Sequence, residues 1–400
     1  MKLTLFILLF TNQVFAITLE GILSSYQLQE DVPELQNSIS YINDLSVRVG
    51  QKHVQEEDSI DSDLDLRFSV SGWDEQKHKS KLKINQQNRL AANRKEALNK
   101  ELALVYKLYL KLYFGKREKK KLNELLVIYK DKISVLKVYI KKNKDHITEL
   151  INVERKIHEI ENKLLLKDSE LEKSLNLLNG LVNKKITLAQ IPSSERFLSV
   201  DGLVNIVEKS ASEQSSPKLD LEKAKLEYEL EKGENSKLVD FIQLGVARKN
   251  IVADRELQDT VVGVTLGLSL PFLRDKTKVN EKFIQKLQAE YEAKYERKAF
   301  VEEVDELKLT ITRVAKSLKQ LLNASYVASA KKYLKTYKRS KGIDPLKLLE
   351  LNNTIVQGEI EEIQLRSEMY NTFIAFLKVN GQLSIKNKEN VLGTNFKGEA

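Results

Sequence analysis

The stretch that decides the fold reads Val261-Val262-Gly263-Val264-Thr265-Leu266-Gly267-Leu268-Ser269-Leu270-Pro271-Phe272. From Val262 to Leu270 the even positions are Val, Val, Leu, Leu, Leu, and the odd positions between them are Gly, Thr, Gly, Ser. A period of two means a β-strand with one apolar face and one small, polar face. Pro271 cannot donate to a ladder and ends the strand. Beyond Asp275 the period becomes helical. Ile284, Leu287, Tyr291 and Tyr295 lead on to Ile311, Val314, Leu318 and Leu321 at steps of three and four. No Pro or Gly follows until Gly342, which predicts an unbroken helix of about 65 residues, near 100 Å at about 1.5 Å per residue. Globular helices average about 11–12 residues, so a strand feeding one this long is unusual.

Upstream, Asp240, Ile242, Leu244 and Val246 alternate with Phe241, Gln243, Gly245 and Ala247. That is a second strand, joined to the first through a loop at Asn250–Asp259. Before it, Ser216-Pro217 starts a helix to about Glu231, with Gly233 as candidate C-cap. Downstream, the long helix turns at Lys341-Gly342-Ile343-Asp344-Pro345. Its return partner carries Leu346, Leu349, Asn353, Val356, Ile360, Ile363, Ser367, Tyr370, Ile374 and Leu377, a heptad-like seam that stops at Asn380-Gly381.

The first half of the chain repeats this order. Ile17–Ser25 reads as a short amphipathic helix, echoed by Ser199–Lys209, and Pro33 is placed to start another. Leu45, Val47 and Val49 alternate with Ser46, Arg48 and Gly50. Leu64, Leu66, Phe68 and Val70 alternate with Asp65, Arg67, Ser69 and Ser71, and the polar stretch Glu56–Asp61 reads as the hairpin loop. Residues 75–140 lack Pro and hold only Gly115. Lys141–Asp145 is a polar break, and Ile147, Leu150, Ile157, Ile160, Leu164, Leu171, Leu175 and Leu178 mark a return helix. Such self-similarity is a duplication signal. Repeat one is taken as 17–190, with strands at about 44–54 and 63–72 and a helical hairpin at 75–184 whose tip is near 141–146. Repeat two is 191–383, with strands at about 238–249 and 260–271 and a hairpin at 275–380 whose tip is near 340–345. Residues 384–400 read as a flexible polar tail.

Met1-Lys2, the apolar run Leu3–Phe10 and Val14-Phe15-Ala16 fit a secretory signal at 1–16 cleaved after Ala16. No stretch has the roughly 18 apolar residues of a membrane-spanning helix. The 400 residues carry 66 basic and 57 acidic side chains, a net charge of +9. The charges interleave, as in Lys286-Glu290, which suits solvated helix faces rather than nucleic acid. There is no Cys, so disulfides, thiolate metal sites and Cys lipidation are excluded, and the four His fall in no metal-ligand spacing. No nucleophile–base set, phosphate loop or acid–base pair is present, so neither enzymatic activity nor a cofactor is expected.

Four strands of about ten residues suit a membrane barrel, whose strands need about 9–11. Four cannot close one, and open edges are not tolerated in lipid. Copies must therefore associate about an axis, and three would pool twelve strands. Trp73 and Phe272, just beyond strands, suit the interfacial aromatic belt.

This order, the Ser-Leu-Pro-Phe strand exit at Ser269–Phe272, and the tip Gly342-Ile343-Asp344-Pro345-Leu346 with its Leu-rich turn together resemble the TolC-type outer membrane efflux proteins over about 17–381. The resemblance implies a mainly α fold with a membrane β-barrel contribution. A duplicated strand–strand–long helical hairpin would give four strands per chain. A homotrimer would form a 12-stranded barrel in the outer membrane lipid of a Gram-negative bacterium and an α-helical periplasmic barrel. It implies passive export, for efflux or type I secretion, driven by an inner-membrane pump coupled through a periplasmic adaptor protein. It places adaptor contacts at the tips, Asn143, Asp145, Gly342, Pro345 and Leu346. It places the closed aperture at Lys347 and Glu350. Glu350 keeps the family's acidic charge and Lys347 departs from it. Asp344 is either the second aperture carboxylate or the cap of the helix beginning at Pro345.

Two alternatives share parts of this pattern. A periplasmic adaptor has one hairpin flanked by Gly- and Pro-rich β domains, whereas this chain shows two hairpins with 15 Gly and 5 Pro. A secreted coiled-coil structural protein would not need the alternation of Val262–Leu270.

Overall fold

The computed structural model describes residues 17–25, 42–54, 59–142, 146–182, 185–210, 216–251, 258–268, 275–323, 325–337, 344–383 and 390–393. The order is α1 (Leu19–Ser25), β1 (Ile42–Val54), β2 (Ser59–Val70), α2 (Trp73–Lys142), α3 (Ile147–Val182), α4 (Val200–Lys209), α5 (Ser216–Asn235), β3 (Val239–Ile251), β4 (Gln258–Leu268), α6 (Thr277–Leu322), α7 (Ser325–Tyr337) and α8 (Pro345–Val379). These elements fall into two compact units. One takes residues 1–30, 95–213 and 300–400, the other 31–94 and 214–299. Each unit thus draws on both halves of the sequence, and no described helix is long and apolar enough to cross a membrane.

The second unit holds the sheet. Its four strands are antiparallel in the order β1-β2-β3-β4, so the two hairpins join through β2 and β3. Within the same unit α5 is tied to the start of α2. The Asn85 amide donates to the Leu219 carbonyl at 3.1 Å, and Arg89 meets Asp220 at 2.5 Å. It is tied to the start of α6 by Lys282 and Glu227 at 2.9 Å and by the Tyr228 and Phe283 rings, 5.6 Å apart. Glu75, buried, accepts from the Gly72 N–H at 3.0 Å and closes the turn between β2 and α2.

The first unit is built around the apolar stretch Leu102–Phe114 of α2. Tyr106, Tyr109 and Tyr113 recur at steps of three and four, so they share one helix face. Burial of each ring contributes apolar area, and each hydroxyl reaches a polar partner as a buried Tyr requires. The Tyr106 hydroxyl accepts from the Val391 N–H, the Tyr109 hydroxyl donates to Glu195, and the Tyr113 hydroxyl accepts from the Glu195 N–H. One face of one helix thereby fixes α1, the connector before α4 and a C-terminal segment. The α8 seam faces inward as its spacing predicts: Leu346, Val356, Ile363, Tyr370, Ile374 and Leu377 are buried. The helix ends as its Asn-Gly signal predicts. Gly381 has φ +67°, its N–H reaches the Lys378 carbonyl, and the Gln382 N–H reaches that of Leu377, two bonds that satisfy the last carbonyls.

The structure departs from the sequence reading in four places. The long second helix is broken, because α6 stops at Leu322 and α7 begins at Ser325. Asn323 closes the last turn through the Lys319 carbonyl. Asn and Ser are poor helix formers, but the break also serves packing: α7 lies on α8 with Val327 against Gly358, and Lys331 meets Glu359 at 3.5 Å. Gly233 does not end α5, which runs on to Asn235, and the Ser236 hydroxyl caps the Gly233 carbonyl at 3.0 Å. Part of the expected hairpin loop is strand, since residues 59–61 pair with residues 52–54 in the β1–β2 ladder. Finally, the expected tail is not free at Asn390–Gly393. Val391 and Leu392 are buried, Phe197 bridges Gly393, and the Leu198 N–H donates to the Leu392 carbonyl at 2.8 Å. The signal segment, Pro33 and the remainder of the tail lie outside the described residues.

Candidate functional site

The register of the sheet sorts its side chains into two faces. Val49, Leu64, Val246 and Val262 form one cross-strand row. Val47, Leu66, Leu244 and Val264 form the next, and Leu45, Phe68, Ile242 and Leu266 a third. Directly paired residues project to the same side, so these rows merge into one apolar face across all four strands. That face is open: Val49 is 72% exposed, Val262 70% and Val264 64%. The opposite face carries the rows Arg48, Asp65, Gly245, Gly263 and Ser46, Arg67, Gln243, Thr265. On it the Arg67 guanidinium lies 3.6 Å above the Phe241 ring, and that ring rests over Gly267, where a Cβ would lie only 2.2 Å from Phe241 Cε1. The strands are 13, 12, 13 and 11 residues long, enough to span a hydrocarbon layer when tilted. Among the described residues β1 and β4 are sheet edges without a further partner strand.

The second group of candidate residues lies in the first unit, where α2, α3 and α8 come together. Asp344 is the N-cap of α8. Its carboxylate accepts from the Leu346 N–H at 3.0 Å and from the Tyr139 hydroxyl at 3.4 Å, and Pro345 stands in the first turn, where a missing N–H costs nothing. Leu346 is buried with Leu136 of α2 and Val153 of α3. Lys347 and Glu350 both face solvent. Lys132 of α2 reaches Glu149 at 2.9 Å and Glu350 at 3.4 Å. Burial works against the Lys132 ammonium, yet the two carboxylates outweigh it and hold its pKa above the ordinary lysine value. The bond from Lys132 in turn holds Glu149 below the usual carboxylate value.

Pro345, Leu346, Lys347, Glu350 and Asp344 therefore stand together at the start of α8. Asn143, Asp145 and Gly342, and also Phe272, lie outside the described residues. Trp73 is the first residue of α2, three residues beyond Val70 at the end of β2. Two groupings were not anticipated from the sequence. Lys132 sits more than two hundred positions from Glu350, and the Arg67–Phe241 stack needs the β2–β3 register before it can be seen. Alternation alone marked both residues of that stack only as polar-face positions. No group of metal-ligating side chains occurs among the described residues.

No protein-family model and no curated protein sequence matches the chain. Solved structures do. The outer membrane protein VceC of Vibrio cholerae is 11% identical, with 84% of this chain and 86% of that one superposed at a TM-score of 0.59. The open state of the MtrE outer membrane channel of Neisseria gonorrhoeae is 12% identical over 87% and 82%, at 0.60. The CmeC outer membrane channel of Campylobacter jejuni is 11% identical over 87% and 78%, at 0.56. Mainly helical with a small antiparallel four-stranded sheet, the chain has the fold of the TolC-type outer membrane channels.

Proposed function

We propose that this protein is an outer membrane channel that serves as the exit duct of an efflux or secretion system. The observation that carries this reading is the exposed apolar face that runs across β1–β4 while, among the described residues, both outer edges lack a partner strand. In water so large an apolar patch is a liability, and in lipid unpaired edges are. Both costs vanish if β4 of one copy pairs with β1 of the next and the apolar face meets lipid. Three copies give twelve strands, with the Arg48/Asp65 and Arg67/Gln243 rows turned to a water-filled lumen. The solved channels of this fold favour the same location.

The helices α2, α3 and α6–α8 then form the periplasmic duct, and the start of α8 lies near its closed end. Glu350 is the residue we assign to the aperture, with Lys132 holding it in the closed form, and Asp344 acts as the helix cap. Adaptor and pump engage the tips around Asn143, Asp145, Gly342, Pro345 and Leu346, and transport energy comes from the pump. The chain then has a conducting role and no chemistry of its own.

Fractionation tests the reading. The mature protein belongs in the outer membrane fraction, needs detergent for extraction, and runs as a trimer that shifts to monomer on heating. A water-soluble monomer would refute it.

A further inference from the structure

The first unit contains a recess that none of the roles above uses. It has a volume of about 400 Å3 and lies where the connector preceding α4 meets α2 and α8. Its floor is aromatic. Phe114 and Tyr370 stack with centroids 5.8 Å apart, and Phe197 stands 5.2 Å from Tyr370 and edge-on to Tyr113 at 5.0 Å. The floor's hydroxyls are already engaged. Tyr370 donates to the Leu198 carbonyl at 2.7 Å, and Tyr113 accepts from the Glu195 N–H at 3.1 Å. Tyr113, Phe114 and Tyr370 are buried and back the half-buried Phe197, the ring that turns surface to the recess.

Three guanidinium groups, of Arg117, Arg196 and Arg366, line this surface with two carboxylates, Glu195 and Glu362. The carboxylates are committed. Glu362 pairs with Arg366 at 2.8 Å, and Glu195 takes bonds from the Tyr109 hydroxyl and the Leu19 N–H. Arg117 meets the Tyr113 hydroxyl at 3.3 Å and stands over that ring. Among the described residues neither Arg117 nor Arg196 has a carboxylate within ion-pair reach. Ser199, also in the lining, is the N-cap of α4, so the positive end of a helix adjoins the recess. Two unpaired guanidinium groups beside an aromatic floor make a surface for a flat body with an anionic group. Guanidinium binds carboxylate or phosphate through paired N–H donors, and the rings take the body.

We infer that this recess binds a small organic anion with a flat apolar body, held by Arg117 and Arg196 against the Phe197 ring. Isothermal titration of the full chain in detergent tests this with phenyl phosphate, benzoate, inorganic phosphate and benzyl alcohol. Phenyl phosphate or benzoate is expected to bind with a Kd below about 1 mM, and which of the two binds tighter identifies the anionic group. Inorganic phosphate should bind at least about 10-fold more weakly, and benzyl alcohol should give no heat. An Arg117→Gln, Arg196→Gln double variant should lose about 10-fold or more in affinity at an unchanged melting temperature. Phe197→Leu, which keeps an apolar side chain, should weaken phenyl phosphate but not inorganic phosphate. Absence of binding by both aromatic anions at about 10 mM, or equal binding by wild type and the double variant, would overturn the inference.

Discussion

Gly358 of α8 lies directly beneath Val327 of α7, so close that a Cβ at residue 358 would stand 2.8 Å from the Val327 Cγ2 methyl. The contact explains why a helix-weakening Gly is kept in mid-helix: it lets the short α7 lie flat on α8 after the break at Asn323. Gly358→Leu should overpack this contact and cost about 1–3 kcal/mol. The loss should appear as faster amide hydrogen exchange across Ser325–Tyr337, and adding Val327→Ala should recover part of it. Unchanged exchange in α7 would show that the contact does not hold it.

The C-terminal segment is expected to be part of the fold. Leu392 is fully buried and the Val391 N–H bonds the Tyr106 hydroxyl at 3.1 Å. Leu392→Ala should cost about 2–5 kcal/mol by transfer and cavity terms together. Denaturant unfolding of the detergent-solubilised protein measures this, and a chain ending before Asn390 should be poorly folded.

Glu195 gives a pH signature. Burial pushes its carboxyl above the ordinary value of 4.5, against the bonds from Tyr109 and the Leu19 N–H, and nearby Glu20 adds to the rise. A carboxyl whose folded pKa is raised favours folding while protonated. Its contribution is therefore full below about pH 4.5 and is lost as pH rises through the folded value. The difference in melting temperature between wild type and Glu195→Gln should shift in favour of the variant over that rise. A difference that stays constant with pH would show that Glu195 is already ionised in the folded protein.

The two faces of the sheet should respond oppositely to charge. Val264 belongs to the apolar face and Thr265 to the polar one. Arg on a lipid-facing strand position costs about 2–4 kcal/mol near mid-membrane. Val264→Arg should deplete the heat-modifiable trimer from the outer membrane fraction, and Thr265→Arg should leave it there. Equal loss from both would count against a lipid-facing assignment.

Opening of the duct should require the tips to separate. Cysteines placed at Asn143 and Gly342 have no native thiol to compete with, since the chain has none. A trimer verified as cross-linked at these positions should lose export and regain it on reduction.

Alternation from Val262 to Leu270 was sufficient to assign β4 and its apolar face, because a period of two has no other structural meaning over that length. The α8 seam and its Asn-Gly stop were legible for the same kind of reason. The break at Asn323 was not, since Asn-Ala-Ser lies within ordinary helical composition and only the Val327–Gly358 contact makes the interruption worthwhile. Nor was the anchoring of Val391 and Leu392: two apolar residues in a polar stretch carry no period, and their partners, Tyr106 of α2 and Leu198 before α4, are far away in sequence.

By itself the sequence determined the types of element, their order and which faces are apolar, because these follow from local periodicity. Only the tertiary structure decided which distant side chains meet: Lys132 with Glu149 and Glu350, Arg67 with Phe241, Glu195 with Tyr109, and the arginines around the aromatic recess. Such contacts depend on register and on how helices pack, and those are settled by the summed fit of many weak contacts rather than by any residue's own preference.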